Sequence, residues 1–432
     1  MTKTRIYDFL RGFNPLYVAI ALSMLMLAGI IMLKGAVIYN ADSLSYISAW
    51  DDCYSQGKID EWRTPVYPVI IGLGKFLLGA EYWEIFPTIV QIIVFYSCSI
   101  PFCKMAFNVI SNRRVAWFTI FLFFLFYPII NTLPLLGTEA LGFSLTSLWL
   151  YCVWRFMQYA RWGYGISVCL LTITAIMLRP AFLILIFAII GLFAVGIFMK
   201  NYRRQTLLLL LTLIPVGIVY KVYTNEMKHL IDLDTISIVS VYNTYSMARQ
   251  YNDIFPELLA DNPQAIAVMQ EYHKNGDSRS IEYILKQWEE IAVMEDSGTM
   301  TYLEMNDYAL AVKKEHPGLW LKNIGKRIID SLTSQGPVKN ACNYLVVTLY
   351  TVFFIVGWIR FRRFSLVNFL ILMIGGGSLL SIFLYAQNDF GRLMLPTSAV
   401  LILMGGQLLN CIRLHPLSIK LRRMYPYNKN QQ

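Results

Sequence analysis

Charge is scarce in this chain. Only 15% of its 432 residues are Asp, Glu, Lys or Arg, against roughly 25% in a soluble globular protein. That leaves too little polar material to coat a water-facing globule of this size. Cysteine is also uninformative: seven residues lie scattered, mostly inside apolar runs, which excludes a disulfide framework or a zinc-ligand pattern. Cys53 and Cys342 are the one pair whose positions would allow a bridge. His229, His273, His316 and His415 have no metal-ligand spacing. There is no glycine-rich phosphate loop and no nucleotide signature, which argues against an internal ATP motor. Nor is there a low-complexity tract or an internal repeat of the kind transporters commonly carry.

What the chain has is hydrophobic length. It is 56% hydrophobic and 15% aromatic, and apolar runs recur at about the 18 or more residues needed to cross a ~30 Å hydrocarbon core. Backbone groups in lipid must bond within their own segment, so these runs read as helices. Ten spans are expected: 16–37, 85–107, 116–133, 138–154, 164–178, 181–199, 206–223, 341–358, 364–386 and 393–412. The first continues too far and lacks a small-residue cleavage site, so it reads as a retained span rather than a signal peptide. The piece Val66 to Gly79 is short and holds Lys75, which suits an interfacial or re-entrant helix. The runs of aromatics around Phe121 to Tyr127 read as lipid-facing surface and interfacial belt. Gly375, Gly376 and Gly377 read as a point of close helix packing.

The formal charge of +10 does not point to nucleic acid, because the basic residues cluster in short loops between apolar runs. With both termini in the cytoplasm, the cytoplasmic segments hold 18 Lys or Arg and, of the acids, only Asp8. The region 224–340 carries 17 acidic and 11 basic residues and falls on the opposite side. Its segments 262–273, 280–294, 302–314 and 320–332 have helical spacing of apolar residues. The expected organisation is therefore an N-terminal membrane core (1–223), whose first outer loop (39–83) holds the candidate site. A small, mostly helical extracytoplasmic domain (224–340) and a C-terminal membrane part with a basic tail (341–432) follow.

The first outer loop, NADSLSYISAWDDCYSQGKIDEWRTPVYP, is the most informative stretch. Asp42 and Tyr46 share a helix face with Ala49 and Trp50. A carboxylate held there can act as general base toward an acceptor hydroxyl; the plainer role is the N-cap of a helix starting at Ser43. Arg63 can meet a phosphate through paired charge-assisted hydrogen bonds, or merely fix topology. Glu139, Arg179 and Arg392 sit where charge is expensive, which marks them as functional candidates. Each can equally be an interfacial residue with a wet head group. All of them converge on the side that carries Asp42.

The motif order resembles the GT-C superfamily of integral membrane glycosyltransferases, in particular the branch of protein mannosyltransferases and the aminoarabinose transferase of lipid A. ADSLSYISAW is similar to the family's Asp-bearing first-loop helix, and RTPVYPVIIG to its Pro-x-Tyr-Pro segment. LGTEALGFSL, IMLRPAFLIL and GRLMLP look like its Glu motif, its Arg-Pro break and its late Arg motif. Two departures stand out: Ser43 follows Asp42 where many members have a second acid, and Leu393 stands where Tyr is usual. The resemblance implies an all-α GT-C-like fold. It also implies transfer of a hexosyl or pentosyl group from a polyprenyl-phosphate donor to a glycolipid, polysaccharide or protein acceptor at the periplasmic face of a bacterial inner membrane. Under it Asp42 is the base and Arg392, with Arg63 or Arg179, binds the donor phosphate. Tyr46, Tyr67, Glu139, Asp51 and Asp52 line the substrate. Metal dependence stays open: the loop acids could bind a divalent cation, but no spacing demands one. The competing classes are a polysaccharide ligase or polymerase using a diphosphate donor, a transporter or flippase, and an inert scaffold.

Overall fold

The computed structural model describes residues 14–249, 254–272, 281–333, 336–360, 365–385 and 390–424. The N-terminal cations Lys3, Arg5 and Arg11, together with His273 and Asp389, lie outside the described residues. The chain is an all-α polytopic membrane protein. Among the described residues, seven helices are long and apolar enough to cross a bilayer, and Trp162–Leu178 and Pro180–Gly196 are shorter apolar helices. With the 21-residue helix Glu139–Tyr159, these account for the ten expected spans.

Local signals place several boundaries. Helix α1 (Pro15–Lys34) starts with proline in its first turn and with the Asn14 side chain accepting from the Leu16 N–H. It stops at Gly35, whose φ of 97° suits glycine. Helix α2 (Ser43–Ser48) runs into a π-turn at Ala49–Cys53. Helix α3 (Val66–Tyr82) is interrupted at Gly79, φ 73°, so its regular part is the short apolar piece expected from sequence. Helix α4 (Ile85–Val109) leads to α5 (Arg113–Phe124), capped by the Asn112 side chain.

Helix α6 (Glu139–Tyr159) is the centre of the membrane part, buried on nearly all sides. It packs on α4 and on α7 (Trp162–Leu178), where Trp149 Nε1 donates to Thr172 Oγ1 at 2.9 Å. A buried aromatic cluster joins α4, α5 and α6: Phe102 stacks on Phe123 at 4.2 Å, and Phe123 meets Phe143 at 5.0 Å. This corrects the lipid-facing reading of the Phe121 to Tyr127 run. Phe123 and Phe124 are core residues, whereas Tyr127 is exposed. Two neighbouring helices present apolar faces to α5, so its aromatics have protein to bury against.

The triple glycine lies at a π-turn, Ile371–Gly376. A Cβ on Gly375 would fall on the Tyr350 hydroxyl, and one on Gly377 would fall on Ile184 Cδ1. Only hydrogen fits where these helices touch.

The 224–340 region folds around a second hydrophobic cluster, which includes Tyr242, Met269, Ile291, Met305, Tyr308 and Trp320. Its helices Pro263–Tyr272, Ile281–Asp296, Tyr302–Glu315 and Pro317–Thr333 match the periodic segments. Thr301 and Glu304 form a capping box. At its centre Arg249 Nε pairs with Glu290 at 3.0 Å, both almost fully buried, and the Tyr245 hydroxyl donates to the same carboxylate. Burial pushes Glu290 above the usual carboxylate range. Cys53 and Cys342 are free, so the bridge that sequence allowed is not formed; Cys53 instead faces the Asp60 carboxylate.

Candidate active site

Five chain segments meet at one cluster of charges. The first is the loop after α1. Ile38 and Leu135 form a parallel bridge, with Ile38 N donating to Pro134 O at 2.8 Å and Leu136 N to Ile38 O at 2.9 Å. Ser43 Oγ then donates to Leu136 O at 2.7 Å, and Gln91 Nε2 to Leu135 O at 2.8 Å. These bonds tie the start of α2 to the turn that precedes α6. They register Asp42 against Glu139.

Asp42 occupies the N-cap position of α2, yet its side chain makes no capping bond. Its carboxylate turns to two arginines instead: Oδ1 accepts from Arg63 Nη2 at 2.9 Å, and Oδ2 pairs with Arg392 Nη2. The loop itself holds Asp42, with Asn40 Oδ1 accepting from the Asp42 N–H at 3.0 Å.

Arg63 is fixed on three sides. Its Nε donates to Ser45 Oγ at 2.8 Å, its Nη2 to Asp42, and its guanidinium lies 4.6 Å above the Tyr46 ring. Tyr46 in turn meets the fully buried Tyr67 edge to face at 4.9 Å. The Arg63 carbonyl accepts from the Tyr54 hydroxyl at 2.7 Å, and the preceding residues are clamped by the 224–340 region. Ser237 Oγ donates to Trp62 O at 2.8 Å, and Ile238 N to Glu61 O at 3.0 Å. A guanidinium with this many partners is a positioned group and not a snorkelling one.

The other two arginines reach the cluster around α6. Helix α7 ends at Leu178, Arg179 is extended, and Pro180 opens a tight 3-10 turn. Arg392 sits on the short helix Phe390–Met394, followed by a turn through Pro396. Both turns press on Gly142, where an added Cβ would lie 2.8 Å from Phe182 Cζ and 2.9 Å from Pro396 Cβ. This glycine, one turn beyond Glu139, admits both segments; the small-residue pattern of LGTEALGFSL was its only sequence signal. Glu139 Oε1 accepts from Arg392 Nε at 2.8 Å and faces Arg179 Nη1 at 3.8 Å.

The structure thus brings together Asp42, Arg63, Glu139, Arg179 and Arg392, with Tyr46 and Tyr67 behind Arg63. It does not bring Asp51 and Asp52 into the cluster. Asp51 pairs with Lys75 of α3 at 2.5 Å, and Asp52 is exposed. Ser45, Asn40 and Gly142 were not singled out from sequence. Their contributions are a hydroxyl, an amide and an absent side chain, none of which has a distinctive pattern.

Two polar atoms of the cluster are buried without a hydrogen-bond partner among the described residues: Glu139 Oε2 and Arg179 Nη1. Such groups are costly to leave unpaired, and the arginine nitrogen has only Glu139 Oε1 before it, at 3.8 Å, beyond hydrogen-bond reach. The donor set does not suit a resident metal ion. Its two carboxylates are already engaged by guanidinium groups, and no group of three or more His, Cys, Asp or Glu comes together among the described residues. Three guanidinium groups gathered on two carboxylates instead suit a phosphate.

No family model matches the sequence, and no curated protein matches it. Solved structures do match. The crystal structure of the apo oligosaccharyltransferase of Archaeoglobus fulgidus aligns with a TM-score of 0.53 over 96% of this chain, at 12% identity. The two proteins share a fold. A second match at 11% identity, TM-score 0.52, is the archaeal oligosaccharyltransferase AglB from Archaeoglobus fulgidus in complex with an inhibitory peptide and a dolichol-phosphate. This chain covers 53% and 52% of those two chains, about half their length. The likeness at this identity is one of architecture. In this chain the charge cluster is built by the first-loop helix α2, the segment before α3, the ends of α6 and α7, and the turn at Arg392.

Proposed function

We propose that the chain is an inverting glycosyltransferase. It moves a hexosyl or pentosyl group from a polyprenyl-phosphate donor to an acceptor hydroxyl, at the periplasmic face of a bacterial inner membrane. The observation that carries this reading is the position of Asp42, a carboxylate shared between Arg63 and Arg392 in place of the helix cap it was free to make. The GT-C fold supports it, as does the dolichol-phosphate bound by the structurally similar AglB.

In this scheme the donor phosphate engages the guanidinium groups of Arg392, Arg63 and Arg179 and releases Asp42 from them. The freed carboxylate takes the proton of the acceptor hydroxyl. The acceptor oxygen forms its bond to the anomeric carbon from the opposite face, while the bond from that carbon to the phosphate oxygen breaks. The electron pair stays on the phosphate, where the arginines meet the growing charge. A lipid-linked donor needs no ATP on that side of the membrane, and its tail has apolar helices to lie against.

The test is transfer of labelled sugar from polyprenyl-phosphate donors by the purified protein beside Asp42→Asn. Turnover by the wild type that vanishes in a folded Asp42→Asn variant supports both the reaction and its base. Turnover that persists moves the base elsewhere, and none across a broad donor and acceptor panel removes the transferase reading.

A further inference from the structure

Glu139 is the one member of the cluster that bulk water does not reach. Its side chain is 1% exposed, against 18% to 30% for Arg179, Arg63, Asp42 and Arg392. It is tied to two arginines. The backbone at Gly137 packs so closely on it that a Cβ there would lie 2.6 Å from Oε2. Its one described hydrogen bond comes from Arg392. No step of the proposed reaction changes its charge, whereas Asp42 gains a proton. Glu139 is thus the constant negative charge of the site.

We propose that Glu139 is a positioning residue that sets the net charge of the donor site and so selects a donor with one phosphate over one with a diphosphate. This rests on reading the cluster as a donor site. Among the described residues, three guanidinium groups and two carboxylates leave one net positive charge. A sugar joined to a polyprenol through a single phosphate is a diester with one negative charge, and the two cancel. When Asp42 takes the acceptor proton the site holds two net positive charges. The departing phosphate monoester then carries about −1.5 to −2 at neutral pH. The balance holds on both sides of the step. A diphosphate donor brings one more negative charge before and after transfer, and an uncompensated charge in a poorly hydrated site is expensive. Removing the Glu139 charge supplies the missing positive balance.

The experiment measures the affinity of the full-length protein in nanodiscs for undecaprenyl-phosphate-glucose and undecaprenyl-diphosphate-glucose. Wild type is expected to bind the single-phosphate lipid more tightly. Glu139→Gln is expected to shift the affinity ratio at least tenfold toward the diphosphate lipid. Glu139→Asp keeps the charge and is expected to keep the wild-type ratio even where both affinities fall. Arg179→Gln removes a positive charge and is expected to move the ratio the other way, which provides an independent arm should Glu139→Gln fail to fold. Equal losses for both lipids in Glu139→Gln, with the ratio unchanged, overturn the inference and leave Glu139 a structural anchor. Binding of neither lipid by folded wild type overturns the donor-site reading itself.

Discussion

Arg392 Nε donates to Glu139 Oε1 at 2.8 Å across 253 positions of sequence, while another nitrogen of the same guanidinium pairs with Asp42. One side chain therefore links the late membrane segment to both the first loop and the central helix. A fork is needed for this. Lysine offers a single point of charge and cannot hold two carboxylates in fixed directions.

Arg392→Lys is expected to keep the fold and weaken donor binding. A charge-assisted hydrogen bond is worth about 1.5–3 kcal/mol, so the donor Kd should rise roughly 10- to 100-fold. Titration of the purified variant with a polyprenyl-phosphate sugar checks this, and an unchanged Kd would remove Arg392 from the donor site.

Asp42→Asn should lower turnover by about 10²- to 10⁴-fold, the usual range for loss of a general base. Donor affinity should stay level or improve, because Asn no longer competes with phosphate for Arg63 and Arg392. Measuring kcat and donor Kd separately distinguishes this from a folding defect, which would lower both.

Ser45→Ala removes the acceptor for Arg63 Nε. The expected cost is about 1 kcal/mol, read as a several-fold rise in donor KM with kcat nearly unchanged. A fall in kcat alone would mean that Arg63 acts on the chemical step and not on binding.

Gly142→Ala places a methyl group against Phe182 and Pro396, both closer than 3.0 Å. Overpacking of this kind costs about 1–3 kcal/mol, seen as a lowered melting temperature. Activity should fall further than stability does, since the two segments pushed apart carry Arg179 and Arg392. Wild-type activity in a variant with a lowered melting temperature would show that the cluster tolerates displacement.

Glu61 lies in the first loop where that loop meets the 224–340 region, its carbonyl accepting from Ile238 N. Burial, followed by the nearby Glu295, raises it above the usual carboxylate range. Because its folded value exceeds its unfolded one, its contribution to stability is fully present below the unfolded value. That contribution is lost as pH rises through the folded value. Glu61→Gln should therefore melt higher than wild type at pH 7, and the difference should close as pH falls below the ordinary glutamate range. Thermal unfolding from pH 4 to 8 follows this; a constant offset would assign the effect to packing.

The membrane class, the ten spans and the break at Arg179-Pro180 were legible in the chain. They follow from apolar length, from segregated charge and from proline, each a local property that acts residue by residue. The helical segments of the 224–340 region were legible for the same reason, through their 3.6-residue period. Glu139, Arg179 and Arg392 also stood out singly, because charge at membrane depth is rare, and Asp42 and Arg63 stood out by their place in the first outer loop. Their pairing was not readable. Only the tertiary structure decided that Asp42 turns from its cap to two arginines and that Asp51 is taken by Lys75. Likewise it decided that Phe123 and Phe124 face protein and that Cys53 and Cys342 stay apart. These outcomes depend on which segments approach. That approach is set by the Ile38 to Leu135 bridge and by the bare backbone at Gly142, features with no periodicity and no charge to announce them.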